Sequence, residues 1–268
     1  MAAPASCSSQ AEYISFFADA IAVLQTTAGL ERAARELCED SAADGIGYLE
    51  VRWAPRLHLR GGLRIPEVIE AVLAGLASGP IEAHAIVCAM RQDSPIDNVA
   101  LALAAGRYAG RGVVGWDLAG DEARYPARRQ APAFDAARAE GLHITCHAGE
   151  AGDPSSVAEA LDLRPERIAH GVIGARDREL VERMRDSGVV LDVCPTANVR
   201  CRAVKSYRDH PLPQLLRAGV PCTISTDSRT VAQTTLTREF KLCTTEMGLT
   251  AAELAACERT AHEARFGR

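Results

Sequence analysis

The sequence predicts a parallel α/β fold, and three observations support this prediction. Short apolar runs of strand length alternate with helical patterns along the whole chain, which is the arrangement of parallel α/β proteins. Histidine and acidic residues follow several of these strands, as they do at the carboxyl face of a barrel. No GxGxxG turn follows the first strand pattern and no Walker motif is present, although an open doubly wound sheet would favour a glycine-rich turn after its first strand. The three observations together favour a (β/α)8 TIM barrel over an open sheet.

Helical and strand patterns follow one another without a break. Two helical stripes open the chain, at residues 13–24 and 30–42, with apolar residues recurring on one side of each. Strand patterns then occupy residues 47–53, 83–90, 113–118, 143–146, 168–171, 189–194 and 222–225. Further helical patterns lie at residues 66–76, 98–108, 131–140, 156–161, 177–187 and 231–247. No linker or low-complexity stretch divides the chain, so we predict a single domain over residues 1–268.

The number of strand patterns is one short of a closed barrel. Seven are present, whereas closure needs eight, and the chain opens on helices where a first strand would precede them. We therefore expect a barrel that is missing its first strand, which is an N-terminally incomplete domain.

Composition and charge exclude several classes of protein. The 268 residues are 47% hydrophobic and 4% aromatic, as in a globular protein with an aliphatic core. The net charge of -5 and the pI of about 5.8 predict no binding to nucleic acid or to an anionic membrane. The N-terminus lacks the pattern of a signal peptide and no apolar run has the length of a membrane span, so we predict a cytoplasmic location. Nothing in the sequence predicts the oligomeric state.

The nine cysteines predict reduced thiols rather than disulfides or a metal centre. They are odd in number, scattered, and form no CxxC pair. Cys88, Cys146, Cys194 and Cys222 lie within apolar runs, which is typical of buried thiols.

The segment from His147 to Glu150 carries the strongest chemical signal. The apolar run before it predicts a buried strand, and the turn at Gly149 would present both side chains at the strand end. Imidazole binds zinc, and a nearby carboxylate can carry protons while a metal activates water. Two similar strand ends follow, at His170 and at Asp227.

Each of these residues also has a structural interpretation. His147 could be a satisfied histidine at a buried turn, His170 could cap a strand end, and Asp227 could cap the next helix. Cys194 more simply ends a strand than binds a metal, and residues 117–122 could form an acidic loop. The joint occurrence of two histidines, a glutamate and an aspartate at consecutive strand ends favours a functional site.

Five short motifs lie at the ends of these predicted strands: DLAGDE at 117–122, HAGE at 147–150, RIAHG at 167–171, CPTAN at 194–198 and STD at 225–227. In order and spacing they resemble the motifs of the adenosine deaminase family of zinc hydrolases. YLEVR at 48–52 and CAMR at 88–91 are similar to the family's second and third strands. The resemblance covers the chain from about residue 12 to residue 266. HAGE, HG and STD together are specific to the family, though not to one substrate.

The resemblance implies a TIM barrel of the metal-dependent hydrolase type, with Zn²⁺ as cofactor and a purine nucleoside as substrate. It implies that His147 and Asp227 bind zinc, and that Glu150 passes a proton to N1 of the purine as hydroxide attacks C6. His170 would orient that hydroxide, and Gly120 would offer its backbone amide to the purine. The implied reaction converts adenosine and water to inosine and ammonia.

One departure from the family concerns the metal site. The family's first strand ends in an HxH pair that supplies two more zinc ligands, and this sequence contains no HxH. Two ligands are too few for a catalytic zinc, which normally has three from the protein. We expect the missing pair upstream of Met1, within roughly 60 residues, about the length of one βα unit with its loops. Among the remaining histidines, only His58 follows a strand closely enough to be considered as a substitute.

A second departure is Ser228, where many family members have an aspartate that contacts N7 of the purine. Since N7 is an acceptor, its partner must donate, which a hydroxyl can do and an ionised carboxylate cannot. Ser228 could therefore keep the contact, but its presence leaves the preferred purine open.

Two other classes of metal-dependent hydrolase do not fit the sequence. Binuclear barrel hydrolases use a carboxylated lysine, and no lysine precedes Lys205. Cytidine-type deaminases need HxE followed by PCxxC, which is absent. Two alternatives remain open: a truncated or degenerate deaminase without activity, which another chain could complete, and a deaminase that acts on adenine or another modified adenosine.

Overall fold

Strands and helices alternate in the computed structural model, which describes residues 2–267. Its seven strands are each parallel to the next in chain order, which confirms the predicted parallel α/β class. They are β1 (Tyr48–Trp53), β2 (Glu82–Met90), β3 (Val113–Ala119), β4 (His143–Ala148), β5 (Arg167–His170), β6 (Val190–Val193) and β7 (Cys222–Ile224). A further strand before these seven stays a prediction.

Thirteen α-helices lie within the described residues. They are α1 (Gln10–Ser15), α2 (Ala18–Val23), α3 (Thr27–Ala43), α4 (Ile65–Ala77), α5 (Pro95–Gly106), α6 (Ala131–Ala139), α7 (Ser155–Asp162), α8 (Arg178–Ser187), α9 (Pro195–Arg200), α10 (Leu212–Arg217), α11 (Arg229–Ala232), α12 (Leu236–Thr245) and α13 (Ala251–Glu263). The sequence patterns did not single out α9, α10 or α13.

Contacts between residues divide the chain into two compact units. Of the described residues, unit 1 consists of 2–17, 120–128 and 145–265, and unit 2 consists of 18–119, 129–144 and 266–267. Strand β4 therefore contributes its first two residues to unit 2 and the rest to unit 1. The single domain expected over residues 1–268 stays a prediction.

Unit 2 contains β1 to β3, the start of β4, and helices α2 to α6. Its helices α3 and α4 pack closely because Gly75 has no side chain: a Cβ there would lie 2.2 Å from the carbonyl oxygen of Glu31. The core of this unit includes Trp116 and Phe134, both fully buried. Burial of such large apolar side chains is the main favourable term in folding.

Unit 1 contains the end of β4, strands β5 to β7, helix α1 and helices α7 to α13. The register pairs Ala148 at the end of β4 with His170 at the end of β5, so both strands finish at the same level. Ile168, Met184 and Leu191 are fully buried in this unit. Because parallel strands end at one edge, residues that follow them are brought together there.

Two predicted helices are each divided in the structure. The pattern at 13–24 becomes α1 and α2, and the pattern at 231–247 becomes α11 and α12. Gln233 lies in the left-handed region at φ 49°, which ends α11, and the Thr235 side chain then caps α12 by accepting from the Arg238 N–H. Apolar periodicity continues through such a break, so the pattern alone did not reveal it.

The predicted burial of Cys88, Cys146, Cys194 and Cys222 is confirmed, and within the described residues all nine cysteines are buried free thiols. Desolvation is the first cause of the raised pKa of the Cys222, Cys243 and Cys257 thiols, so these side chains stay protonated. Over residues 2–267, no helix combines the length and the apolar character that crossing a bilayer requires.

The substitution Ile168→Ala tests the core of unit 1. Ile168 in β5 has no exposed surface, and deleting a buried isoleucine side chain to alanine costs about 2–5 kcal/mol of unfolding free energy. The matched control is Ile96→Ala, because Ile96 is 82% exposed in α5 and its loss changes stability by less than about 0.5 kcal/mol. Denaturant titration followed by circular dichroism measures both, and equal midpoints would contradict the placement of Ile168.

Candidate active site

His147 and His170 are brought side by side by the pairing of β4 and β5. The Gly171 N–H donates to the Ala148 carbonyl over 2.8 Å, which extends the pairing beyond His170. The centroids of the two imidazole rings are 5.3 Å apart, with an angle of 57° between their planes. His147 is half-buried and His170 is almost completely buried. The structure thus brings two predicted site residues together at one edge of unit 1.

The turn after β4 is held by one carboxylate. Glu122 accepts the Gly149 N–H at 2.6 Å on one oxygen, and the Glu150 and Ala151 N–H groups at 3.1 and 3.2 Å on the other. Glu122 is 6% exposed, so little water competes for these bonds. Hydrogen bonds to a charged acceptor are the stronger kind, and here three of them fix the backbone that carries Glu150.

Gly149 is required within this turn for two reasons. Its φ of 79° lies in the left-handed region, which is strained for residues with a side chain. A Cβ at this position would also lie 2.7 Å from a methyl group of Val157 and 2.9 Å from the carbonyl carbon of Gly171. The glycine of the HAGE motif therefore permits close contact between the two strand ends.

The Glu150 carboxylate is buried and lies between two polar side chains. Gln10 in α1 donates its amide N–H to Oε2 over 2.7 Å, and Nε2 of His170 is 3.7 Å from Oε1. Within the described residues, Oε1 is buried and accepts no hydrogen bond of ordinary geometry. Glu150 thus has one oxygen that is fixed by the protein and one that is available for proton exchange with a bound molecule.

The Cys201 thiol also lies near Glu150. Burial raises the pKa of this thiol, and the negative charge of Glu150 acts in the same direction. Cys201 is 2% exposed. It therefore stays a neutral thiol, and we assign it no nucleophilic role.

Asp227 joins this cluster from the loop after β7. Its Oδ2 accepts the Tyr13 hydroxyl at 3.5 Å, which is a long hydrogen bond. Asp227 as a whole residue is exposed to solvent. Its carboxylate is nevertheless surrounded by protein atoms, and this desolvation decides the direction of its pKa shift. Desolvation raises the pKa of Asp227 and the charge of Glu150 adds to the rise, whereas the nearby imidazoles lower it.

The backbones of His170 and Asp227 are both strained. His170 has φ 71° and Asp227 has φ 56°, the left-handed region that residues with side chains rarely adopt. Each such residue costs of order 1–3 kcal/mol, and such residues cluster at functional sites. Arg164, Arg202 and Gln233 also have positive φ, so the strain by itself does not identify a site residue.

Two predicted substrate-binding residues also lie in unit 1. Gly120 directly follows β3 and has φ 115°. Ser228, rather than Asp227, caps α11: its hydroxyl oxygen accepts the Val231 N–H at 3.4 Å. A hydroxyl that accepts one hydrogen bond still has its own proton to donate, so the cap leaves Ser228 able to contact a ligand.

The residues that the structure describes do not fit a complete zinc site. Across residues 2–267, no group of three or more His, Cys, Asp or Glu side chains is arranged to hold a metal ion. His147 and Asp227 have the right donor types, but a catalytic zinc normally has three protein ligands. His58 is buried in unit 2 with Nδ1 2.7 Å from the Leu24 carbonyl oxygen, a structural contact within its own unit.

Sequence reasoning missed the partners that hold the predicted residues in place. Glu122 and Asn198 lie inside the motifs at 117–122 and 194–198, but those patterns alone indicate no role for either residue. Asn198 contacts His170, with 3.0 Å between Nδ2 and Nδ1. Gln10 carries no signal in the sequence, because it acts across 140 positions of the chain.

Comparison with known proteins decides the family. The profile of the adenosine deaminase family matches residues 3–267. The chain belongs to the adenosine deaminase family. An adenosine deaminase of Enterococcus faecalis is 37% identical over 247 residues, which cover 90% of this chain and 73% of that protein. The family and the deaminase class of enzyme predicted from the motifs are therefore confirmed.

Solved structures of two deaminases have the same fold. An adenine deaminase from Arthrobacter aurescens superposes with a TM-score of 0.89 at 25% identity, covering 98% of this chain and 82% of that chain. An N6-methyl-AMP deaminase from Arabidopsis thaliana gives a TM-score of 0.88 at 26% identity, covering 97% of this chain and 80% of that chain. The three proteins are named for different purine substrates, namely adenosine, adenine and N6-methyl-AMP, so the family does not fix the substrate.

The substitution Glu122→Gln tests whether the Glu122 carboxylate holds the turn after β4. A glutamine has one acceptor oxygen, so its NH₂ group would face at least one of the three N–H groups that Glu122 now accepts. An unsatisfied buried donor costs about 1–3 kcal/mol, and we expect a lower melting temperature together with a loss of deaminase activity. Glu258→Gln in α13, at an exposed position, is the control and should change neither. Matching melting curves for the two variants would contradict the role of Glu122.

Proposed function

We propose that this chain catalyses the hydrolytic deamination of adenosine or a related 6-aminopurine, converting adenosine and water to inosine and ammonia. The observation that carries this proposal is Glu150, a buried carboxylate whose Oε1 is left available beside Nε2 of His170. Deamination needs a proton delivered to the purine ring, and a positioned carboxyl group can deliver it.

Glu150 is proposed to exchange the proton. In its protonated form it would donate to N1 of the purine, which makes C6 electrophilic and open to attack by hydroxide. Gln10 holds Oε2 and Glu122 holds the backbone, so Oε1 is the oxygen left to exchange the proton. General acid catalysis of this kind typically contributes about 10²–10⁴-fold.

His170 is proposed to orient the attacking hydroxide, and two residues are proposed to bind the purine. His170 lies beside both His147 and Glu150, so its ring can hydrogen bond to an oxygen placed between them. Gly120 would donate its backbone N–H to the purine, and Ser228 would donate its hydroxyl to N7. These contacts would align C6 with the nucleophile.

Zinc is the proposed cofactor, with His147 and Asp227 as two of its ligands. Imidazole and carboxylate are the ligand types that zinc takes in hydrolases, and both side chains lie near Glu150 and His170. The proposal requires further ligands, because the described residues do not complete the site.

Adenine is a second candidate substrate. The adenine deaminase from Arthrobacter aurescens has this fold with a TM-score of 0.89. A serine at position 228 is compatible with either purine, because N7 is present in both. Parallel assays with adenosine and adenine separate the two candidates.

The substitution Glu150→Gln tests the proton-transfer role. The amide keeps the shape of the side chain but cannot shuttle a proton, so deamination should fall by at least about 100-fold while nucleoside binding remains. Loss of adenosine absorbance measures turnover in the presence of zinc, and Glu258→Gln is the matched control. Near-normal turnover of Glu150→Gln would show that the carboxylate is not the proton carrier. A wild-type chain that retains zinc under these conditions and still deaminates neither adenosine nor adenine would overturn the proposed function itself.

Zinc binding gives a test that does not depend on activity. A site with His147 and Asp227 alone should lose zinc on dialysis against a weak chelator, because the protein supplies an incomplete shell. His147→Ala and Asp227→Ala should each weaken zinc binding further, while the exposed His262→Ala should not. Mass spectrometry measures the zinc content of each variant after dialysis. Stoichiometric zinc in the wild-type chain would indicate a third ligand within the chain.

A further inference from the structure

A buried row of polar side chains connects His170 to two residues that have no role in the proposed reaction. Nδ1 of His170 is 3.0 Å from Nδ2 of Asn198, and Oδ1 of Asn198 is 3.3 Å from Nε2 of His210. Nδ1 of His210 in turn accepts the Leu212 N–H at 3.1 Å. All three side chains are at least nine-tenths buried, at 1%, 0% and 4% exposed for His170, Asn198 and His210.

The Leu212 N–H fixes the tautomer of His210. A backbone N–H can only donate, so Nδ1 of His210 must be the acceptor. Burial lowers the pKa of His210 to about 3, which keeps the ring neutral near pH 7. A neutral imidazole carries one N–H, and the proton of His210 is therefore on Nε2.

The tautomer of His210 then determines which way the side-chain amide of Asn198 is oriented. The Nε2–H of His210 needs an acceptor, so the oxygen of Asn198 must face it and the NH₂ group must face His170. Rotating the amide by 180° would place the NH₂ group against the His210 N–H. Asn198 has no exposed surface, so water cannot compensate for that loss.

The orientation of the Asn198 amide in turn determines the tautomer of His170 in the candidate active site. Because the NH₂ group of Asn198 donates to Nδ1 of His170, that nitrogen is the acceptor in the neutral ring and Nε2 carries the proton. Nε2 is the nitrogen that lies 3.7 Å from the Glu150 carboxylate. The reversed tautomer would present a lone pair to Glu150 in place of an N–H donor.

We propose that Asn198 and His210 are positioning residues that hold His170 in its Nε2–H tautomer, so that it presents an N–H donor beside Glu150. The consequence for catalysis rests on the proposed function, whereas the tautomer itself does not. A ring held in one tautomer and one orientation does not have to rearrange before it orients a nucleophile.

Nitrogen-15 NMR of the histidine side chains tests the proposal directly. In the full chain labelled at histidine, His170 is assigned by the resonances that disappear in His170→Gln, and the nitrogen shifts show which ring nitrogen carries the proton. We expect the Nε2–H tautomer for His170 and for His210. An Nδ1–H tautomer of His170 in the wild-type chain would overturn the proposal.

Asn198→Asp reverses the donor that faces His170. A carboxylate can still accept from the His210 Nε2–H, but it cannot donate to His170, so the proton should move to Nδ1 of His170. The kcat for deamination should fall by at least about 10-fold with a smaller change in KM, since the group that orients the nucleophile is altered. If His170 kept its Nε2–H tautomer in a folded Asn198→Asp chain, the proposal would be wrong.

Two further variants keep the test decisive. Asn98→Asp is the matched control, because Asn98 also has no exposed surface and bonds within unit 2 to Gln130 and the Met90 carbonyl. It places a carboxylate in a core as Asn198→Asp does, and it should leave the His170 tautomer unchanged. If Asn198→Asp does not fold, His210→Phe serves instead, since it removes the donor that orients Asn198 and should add an Nδ1–H population at His170. Absence of that population would count against the proposal.

The two proposals can fail separately. Expected tautomers in a chain that deaminates neither adenosine nor adenine would remove the proposed function and leave the positioning network intact. Normal deamination with His170 as the Nδ1–H tautomer would keep the proposed function and remove the network.

Discussion

The candidate site depends on one interaction, the acceptance of three successive N–H groups by the Glu122 carboxylate. A turn buried at a strand end leaves its backbone donors without water, so they need partners from the protein. One buried carboxylate supplies all three and thereby fixes the position of Glu150. Gly149 makes the turn possible, because a side chain there would collide with Gly171.

Three titratable side chains around the candidate site are kept uncharged by burial. Burial raises the pKa of Cys201 and Tyr13 and lowers the pKa of His210, so each of these groups stays uncharged. These three groups therefore add no charge of their own to the site. The left-handed backbones of His170 and Asp227 have an energetic cost that the packing around them must offset.

Much of the fold could be predicted from the sequence because its strands are short and strongly apolar. The pattern at 113–118 corresponds to β3 (Val113–Ala119), and the pattern at 222–225 to β7 (Cys222–Ile224). The break at Gln233 could not be predicted, since a left-handed residue between two apolar helices leaves the periodicity intact. The helix α10 was missed because its six residues are too few to establish a period.

The sequence by itself determined the family and the identity of the chemical groups, because HAGE, HG and STD are local patterns at strand ends. His147, Glu150 and His170 could be named from those patterns without a structure. Only the tertiary structure decided what holds them: Gln10 on Glu150, Glu122 on the turn, and Asn198 and His210 behind His170. The physical reason is separation along the chain. A hydrogen bond between Gln10 and Glu150 joins side chains 140 residues apart, and no local pattern encodes a contact that only folding creates.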